Sequence, residues 1–97
     1  MRIIARRTLR EFWERHERTK QPLRAWYSEA SKAEWKSPWK IKQKYRHASF
    51  IADNRVVFNN AGNRYWLITH INFNDQIVYV KFVGTHAEYD QIDAESI

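Results

Sequence analysis

A histidine, a tyrosine and an aspartate follow the last strand-like segment of the chain, at His86, Tyr89 and Asp90. Lys81 lies just upstream, within the apolar run of residues 78–83. An imidazole, a phenol and an ammonium are groups that move protons and stabilise negative charge when a phosphodiester reacts. The segment therefore predicts a site for RNA chemistry at the end of the final strand.

Each of these residues also has an ordinary structural explanation. A histidine titrates near neutral pH, so His86 could exchange a proton with a substrate, or it could cap a terminal turn. Tyr89 would lie beside His86 on a helical turn, or it could pack in the core. Lys81 could stabilise a phosphorane or be a solvated strand charge. Because a carboxylate repels phosphate, Asp90 is expected to orient His86 or Tyr89, or to cap.

Three further candidates belong to the strand-like segment 64–73. Arg64 follows a Gly-Asn turn and could clamp a phosphate or be a solvated strand-end charge. Trp66 could stack on a base of single-stranded RNA. His70 could also stack on RNA, although a satisfied polar residue on a sheet surface explains it equally well.

The first half of the chain carries two helical patterns. Residues 2–5 can form a short strand, and Thr8 and Glu11 have capping-box spacing ahead of an amphipathic helix over residues 9–18. Pro22 suits the first position of a second helix. The short connection between these helices favours an antiparallel hairpin. Residues 39–46 could then form a helical turn or an extended basic stretch.

In the second half the hydrophobic period changes to two, which is typical of β-strands. We expect strands over residues 55–59, 64–73 and 77–83, joined by turns rich in Asn and Asp. Helices followed by an antiparallel meander, with the N-terminal strand as an optional addition, predict an α+β class. The sequence thus predicts one domain over residues 1–97, in which a two-helix hairpin packs on a three- to four-stranded antiparallel sheet.

Alternation along the strands separates two faces of the predicted sheet. We assign Leu67, Ile71, Val80 and Phe82 to the face packed by the helices. An antiparallel sheet can leave its other face in water. Basic and aromatic side chains on such a face suit single-stranded RNA, and here they would be Arg64, Trp66, His70, Tyr79 and Lys81.

The positive charge of the chain is concentrated in its first half. Residues 1–46 contain 14 Lys/Arg and 5 Asp/Glu, a balance of +9, whereas residues 47–97 contain 3 and 6, a balance of −3. This asymmetry predicts binding to phosphates or to an acidic protein, although solvated amphipathic helices would also produce it. The basic residues expected to contact the phosphates of mRNA or ribosomal RNA are Lys36, Lys40, Lys42, Lys44 and Arg46.

Several classes of protein are disfavoured by the composition. The chain has no cysteine, so disulfides and thiolate metal sites are excluded, which fits a reducing cytoplasm. It has no apolar run of the roughly 18 residues that span a bilayer, and its first residues do not resemble a signal peptide. Gly-rich phosphate loops, nucleophile elbows and zinc-ligand spacings are missing from the sequence. We therefore expect a cytoplasmic protein that uses no metal and no cofactor and binds no membrane.

Thr-His-Ala-Glu-Tyr-Asp at 85–90, preceded by Phe-Val-Gly at 82–84, is the most specific motif of the chain. Together with Leu-Arg-Glu-Phe-Trp at 9–13, Pro-Leu-Arg-Ala-Trp-Tyr at 22–27, Arg-Val-Val-Phe-Asn at 55–59 and Gly-Asn-Arg-Tyr at 62–65, it resembles HigB-type toxins. These belong to the RelE/ParE superfamily and are the mRNA interferases of bacterial toxin–antitoxin systems. The resemblance covers nearly the whole chain.

The resemblance implies a fold of one strand, two helices and a sheet, cleavage of mRNA, usually on the ribosome, and neutralisation by a HigA-type helix-turn-helix antitoxin. In the wider superfamily the ribose 2′-OH attacks the adjacent phosphate without metal. Such chemistry needs a base, an acid and cations. The residues assigned to it are His86, Tyr89, Lys81 and Arg64. Trp66 and Lys81 depart from the arginines of relatives, and lysine keeps the charge without the bidentate geometry.

Two other hypotheses share these features. A RelE/ParE-like toxin or an RNA-binding module could act by binding alone, without cutting RNA. A role in protein interaction only would have the basic helices bind an acidic partner. Composition does not discriminate among the three.

Overall fold

The N-terminal part of the protein folds into one short strand and three helices. In the computed structural model, which describes residues 1–59 and 65–97, these are β1 (Arg2–Ile4), α1 (Arg6–Arg15), α2 (Lys20–Lys32) and α3 (Pro38–Lys44). A 3-10 turn, Glu17–Thr19, connects α1 to α2. The remaining elements are β2 (Ser49–Ile51), β3 (Arg55–Asn59), β4 (Trp66–Asn72), β5 (Ile77–Gly84) and a single terminal turn, α4 (His86–Tyr89).

Helix α1 begins three residues earlier than its predicted start. Its N-cap is Ala5, which makes no side-chain cap, so the predicted capping box of Thr8 and Glu11 is wrong. The Glu11 carboxylate instead accepts a hydrogen bond from Arg7 Nε at 2.8 Å on the exposed face. The predicted apolar stripe is confirmed, because Leu9, Phe12 and Trp13 are buried.

The second helix also begins before its predicted start. Because the 3-10 turn feeds directly into α2, Pro22 is the third residue of the helix and not the first. A proline is tolerated there because the first turn of a helix has no intrahelical acceptor for its N–H groups. The predicted stripe is buried at Leu23, Trp26 and Ala30. The basic segment after it is helical, with Pro38 as the first residue of α3.

The sheet has five strands in the order β1-β5-β4-β3-β2. The predicted α+β class is confirmed, but the prediction of three or four antiparallel strands is wrong. Strand β1 pairs with β5 in parallel, and the other neighbours are antiparallel. Strand β2 escaped prediction because its three residues are too few to show a period of two.

One face of the sheet packs against the helices and forms the main core. Trp26 of α2 contacts Phe58 of β3 edge to face, with ring centroids 5.4 Å apart. Leu67, Ile71 and Val78 contribute the aliphatic part of the same cluster. Aromatic residues thus supply much of the buried area of this small chain.

A β-bulge at Lys81 changes which side chains of β5 share a face. Ile68 pairs with Phe82, and Thr69 pairs with Val80, so Lys81 has no partner residue on β4. Residues opposite each other in an antiparallel pair lie on the same face. Val80 therefore stays on the helix side as predicted, whereas Phe82 lies on the second face, and its predicted assignment to the core face is wrong.

The second face is covered and not open as predicted. Val57 and Ile68 pair with each other on this face, and only 2% and 0% of their surface is exposed. The C-terminal segment provides the cover. Tyr89 stacks on Trp66 at one end of the face, and the Arg55 guanidinium donates to the main-chain oxygen of Ile97, at 3.0 and 3.2 Å, towards the other end.

Candidate functional site

The terminal turn α4 is fixed by a reciprocal capping box. Thr85 Oγ1 accepts a hydrogen bond from the Glu88 N–H at 3.2 Å, and a Glu88 carboxylate oxygen accepts one from the Thr85 N–H at 2.8 Å. This arrangement satisfies two N–H groups that a helix start leaves without partners. The Thr-His-Ala-Glu spacing thus explains locally why His86 and Tyr89 take their positions. The Thr-x-x-Glu pattern in the sequence carries the signal for this capping box, although our prediction for the segment concerned only His86, Tyr89 and Asp90.

Gly84 allows α4 to lie close to the end of β5. A Cβ atom at this position would overlap the ring of Phe82 and come within 3.2 Å of the Glu88 Cβ. Gly84 also pairs with Trp66 in the sheet. The glycine therefore brings the turn and the tryptophan together.

Trp66, His86, Tyr89 and Asp90 form one group, which we call the α4 cluster. The Tyr89 ring stacks on Trp66 with a centroid distance of 4.4 Å and an interplanar angle of 23°. The His86 ring lies 5.4 Å from Trp66. His86 Nε2 is 3.3 Å from Asp90 Oδ2, and 61% of the His86 side chain is exposed. Asp90 thus stands in the orienting position expected from the sequence, and the imidazole can reach a substrate.

Electrostatic interactions in the turn favour the ionised form of the Glu88 carboxylate. The hydrogen bond from the Thr85 backbone lowers the pKa of Glu88 from its usual range, with further contributions from the Thr85 hydroxyl and from His16 and Arg15. Those two residues are at the C-terminal end of α1. Glu88, in the turn that carries His86 and Tyr89, therefore interacts electrostatically with the end of helix α1.

His70, Tyr79 and Lys81 form a second group on the same face of the sheet. The His70 and Tyr79 rings pair across the strands with centroids 6.4 Å apart, and Lys81 Nζ lies 5.9 Å from the Tyr79 ring centroid. His70 and Tyr79 also line a polar cleft of about 370 Å³ with Asn54 and Asn72. The side chain of Lys81 is exposed, as the prediction of a surface cation required.

The two groups lie at different ends of the second face. Trp66 and His70 are four residues apart on β4, on the order of 13 Å along the strand. The bulge at Lys81 lies between them, next to the row formed by Ile68 and Phe82. The structure thus brings His86 together with Tyr89 and Trp66. His70 and Lys81 lie beside Tyr79 instead, apart from the α4 cluster. Arg64, the fourth predicted catalytic residue, lies outside the described residues.

The predicted phosphate-binding residues belong to the helix side of the molecule. Lys36 lies between α2 and α3 and is exposed. Because α3 is helical, Lys40 and Lys44, which are four residues apart, share one side of the helix, and Lys42 points away from them. Lys42 donates to the Ala48 carbonyl at 2.7 Å, and Lys44 lies 4.0 Å from Glu29. The exposed residues of this basic surface are Lys36, Lys40, Lys42, Lys44 and Arg46.

Sequence reasoning missed a polar cluster beside this basic surface. The Tyr45 hydroxyl donates to a Glu29 carboxylate oxygen, and burial followed by this hydrogen bond raises the pKa of Tyr45. Burial, with a smaller effect of Glu29, raises the pKa of Tyr65 to about 12. The sequence signals were the tyrosine within the basic run and the one that follows Gly-Asn-Arg in the sequence.

Metal ligation and membrane insertion find no support in the described part of the chain. Residues 1–59 and 65–97 contain no group of three or more His, Asp or Glu side chains arranged to hold a metal ion. None of the helices in these ranges is long and apolar enough to cross a membrane.

Comparison with known proteins adds to this geometry. Residues 19–92 match the family model of HigB toxins, described as the RelE-like toxic component of a toxin–antitoxin system. The chain belongs to the HigB toxin family. The mRNA interferase toxin HigB of Escherichia coli K12 is 28% identical over 92 residues, which span 93% of this chain and 88% of that protein. The mRNA interferases HigB of Escherichia coli O157:H7 and Shigella flexneri match with the same identity and coverage.

The resemblance seen in the sequence is thereby confirmed. The family match includes β2 to β5, α4 and the whole α4 cluster, since it extends to residue 92. It also includes the basic surface, which begins at residue 36. The assignment of individual catalytic and RNA-binding residues in this HigB-family toxin stays a prediction.

Proposed function

We propose that this toxin is an endoribonuclease that cleaves mRNA at the α4 cluster. The observation that carries the proposal is the exposed His86–Asp90 pair beside the Trp66–Tyr89 stack, in a chain of the HigB family. The relatives named mRNA interferases match over 93% of the chain, a stretch long enough to include these elements. An imidazole with one oriented nitrogen and one free nitrogen suits proton transfer at a ribose.

The proposed reaction uses the ribose 2′-OH as nucleophile and needs no metal. Asp90 Oδ2 lies 3.3 Å from His86 Nε2, so the carboxylate is proposed to hold the imidazole at this nitrogen while Nδ1 takes the proton of the 2′-OH. The 2′-oxygen then bonds to the adjacent phosphorus, and the bond from phosphorus to the 5′-oxygen breaks. The Tyr89 hydroxyl gives its proton to that leaving oxygen. The products are a 2′,3′-cyclic phosphate and a 5′-hydroxyl end.

Cations are needed because negative charge accumulates on the phosphorane oxygens. Lys81 is the cation proposed for this role on β5, and its exposed side chain lies in a bulge, where it has no packing partner across the strands. Arg64 is proposed as a second cation on the basis of sequence alone. Trp66 is proposed to stack with a base next to the cleaved bond, because its ring lies close to both proposed reacting residues, His86 and Tyr89.

The RNA would be held by charge on the helix side. The basic surface of residues 36–46 contains five Lys/Arg and no Asp/Glu, so it is suited to backbone phosphates of mRNA or of ribosomal RNA. We propose that cleavage occurs on ribosome-bound mRNA and that an antitoxin of the HigA helix-turn-helix type neutralises the toxin. His70 is proposed to contact RNA further along the second face.

Growth and primer extension test this function together. Induction without antitoxin is expected to stop growth and to produce discrete new 5′ ends on cellular mRNA. The double variant His86→Ala with Lys81→Ala is expected to lose both effects, because it removes the proton acceptor and a phosphorane cation. Gln91→Ala, an exposed neighbour of the same segment, is the control and should remain toxic.

Two results would argue against the proposal. Growth arrest with intact transcripts would favour a toxin that acts by binding alone. Full toxicity and cleavage in the double variant would show that the reacting groups lie elsewhere.

A further inference from the structure

A second cavity lies on the helix side of the sheet, away from the α4 cluster. It has a volume of about 290 Å³ and lies between α2, the end of α3 and the ends of β3 and β4. Its aromatic wall includes Trp26, Tyr45, Phe58 and Tyr65. This volume is near the lower limit for ligand pockets, so it suits one planar ring system.

The wall of this cavity includes hydrogen-bond donors. The phenols of Tyr45 and Tyr65 have raised pKa values, chiefly because they are buried, and therefore remain protonated at physiological pH. Trp26 is 2% exposed, and its buried indole N–H finds no partner within residues 1–59 and 65–97. Because the nitrogen itself is buried, its signal reports on the cavity wall and not on a direct contact with a ligand.

The polar side chains of the cavity include one carboxylate, two cations, a histidine and an asparagine. Glu29 is the carboxylate of the lining; one oxygen accepts from the Tyr45 hydroxyl, and Lys44 lies 4.0 Å away. A carboxylate can only accept hydrogen bonds, so it favours a ligand with an amino group. Lys44 and Arg46 line the same cavity and could hold a phosphate at its rim.

The cavity is connected to the α4 cluster through the sheet. Asn59 lines the cavity and pairs with Trp66, which stacks on Tyr89. Tyr65, also in the lining, directly precedes Trp66. The cavity and the α4 cluster are therefore both next to the paired residues Asn59 and Trp66.

We propose that this cavity binds one unpaired nucleobase that carries an amino group, namely adenine, cytosine or guanine, in the RNA that the α4 cluster cleaves. The inference rests on the proposed function for the identity of the ligand. The aromatic wall stacks on the base, Glu29 accepts from its amino group, and Lys44 and Arg46 hold the attached phosphate. Uracil lacks this amino group, so the Glu29 carboxylate would find no amino donor on that base. The cavity would thus make the toxin select among RNA sequences.

Nuclear magnetic resonance on the 15N-labelled chain tests the inference without relying on cleavage. The Trp26 indole N–H signal is followed while AMP, CMP, GMP or UMP is added. We expect the three amino-bearing nucleotides to shift this signal and to bind about tenfold more tightly than UMP, the difference expected for one hydrogen bond to a charged group. Equal binding of UMP, or an unchanged Trp26 signal with all four, would overturn the inference.

Variants and a competing ligand sharpen the result. Arg46→Ala should weaken binding of all four nucleotides, whereas Arg24→Ala, which removes an equal charge from an exposed position outside the cavity, should not. Glu29→Gln should remove the preference against UMP; if this variant fails to fold, the wild-type selectivity still decides. Tighter binding of N-acetyltryptophanamide than of any nucleotide would assign the cavity to a protein partner instead. If the chain binds nucleotides but cuts no mRNA, the proposed function is refuted, whereas the inference about this cavity stands.

Discussion

At the scale of single residues, the two proposed reacting residues of the α4 cluster, His86 and Tyr89, differ in how far they are buried. His86 is largely exposed, and its contacts among the described residues are the Asp90 carboxylate and the edge of Trp66. Tyr89 is half-buried and its ring stacks on Trp66, so the packing explanation considered from the sequence applies to the ring. The role of its hydroxyl as an acid stays a prediction.

Removing the His86 imidazole is expected to reduce cleavage far more than folding stability. His86→Ala should lower the cleavage rate on the order of 10² to 10⁴, the range contributed by one general acid or base. Its free energy of unfolding should change by no more than about 0.5 kcal/mol, as is usual for an exposed side chain. Cleavage of a synthetic RNA and urea denaturation measure the two quantities. An equal fall in both would indicate a structural role for His86.

At the scale of elements, the terminal turn depends on local hydrogen bonds and the sheet on long-range pairing. The capping box joins residues only three positions apart, so the sequence alone encodes it. The bulge at Lys81 and the cover over Ile68 depend on how distant segments meet. This difference explains why the strands over residues 55–59 and 77–83 could be located from sequence, while the face of Phe82 and the burial of Ile68 could not.

Loss of the capping box should loosen α4 without unfolding the sheet. Thr85→Ala removes the acceptor for the Glu88 N–H and is expected to cost about 1 kcal/mol locally, whereas Thr85→Ser keeps the hydroxyl. Amide hydrogen exchange at Glu88 and Tyr89 should speed up in the alanine variant only. The cleavage rate should fall with it, because His86 and Tyr89 lose their fixed positions. Identical exchange in both variants would contradict this role.

Acidification should have a similar effect on the turn. The pKa of Glu88 is lowered in the folded protein, so the stabilisation is present above the ordinary carboxyl range and is lost as the pH falls through the lower, folded value. We expect the amide signals of Thr85 and Glu88 to change at acidic pH before the core signals do. In Glu88→Gln these signals should no longer depend on pH in that range.

At the scale of the whole molecule, the surface proposed to bind RNA and the cluster proposed to cleave it are separate. The basic surface lies on the helix side, and the α4 cluster lies on the other face of the sheet. The charge asymmetry and the helices over the first half were predictable from composition and periodicity. The relation between the two surfaces was not, because it depends on five strands meeting in one order, including β2 and the parallel β1.

Charge on the basic surface should control the salt dependence of RNA binding. In a His86→Ala background, Lys36→Ala with Lys40→Ala should lower the slope of log affinity against log salt concentration by about 1.4, or about 0.7 for each phosphate that is no longer neutralised. The control is Arg7→Ala with Arg10→Ala, which removes the same charge from exposed residues of α1. If the control had the same effect, total charge and not the basic surface would govern binding.

High pH should destabilise the whole fold. Burial raises the pKa of Tyr45 and of Tyr65, so their contribution to stability is complete below the ordinary tyrosine range and is lost as the pH rises above about 10. Urea denaturation between neutral pH and about pH 11 should show this fall. Tyr45→Phe with Tyr65→Phe should make it shallower, and an unchanged slope would contradict the assignment.

The unpaired position of Lys81 in strand β5 has a consequence for how such toxins can diversify. A residue that has no partner opposite it on the neighbouring strand can be exchanged while the hydrophobic layers on both sides keep their order. Lysine, arginine or an uncharged side chain could follow one another there over evolutionary time with little penalty to folding. Catalytic strength could thus be tuned, or silenced to spare the host cell, by single substitutions at one permissive site.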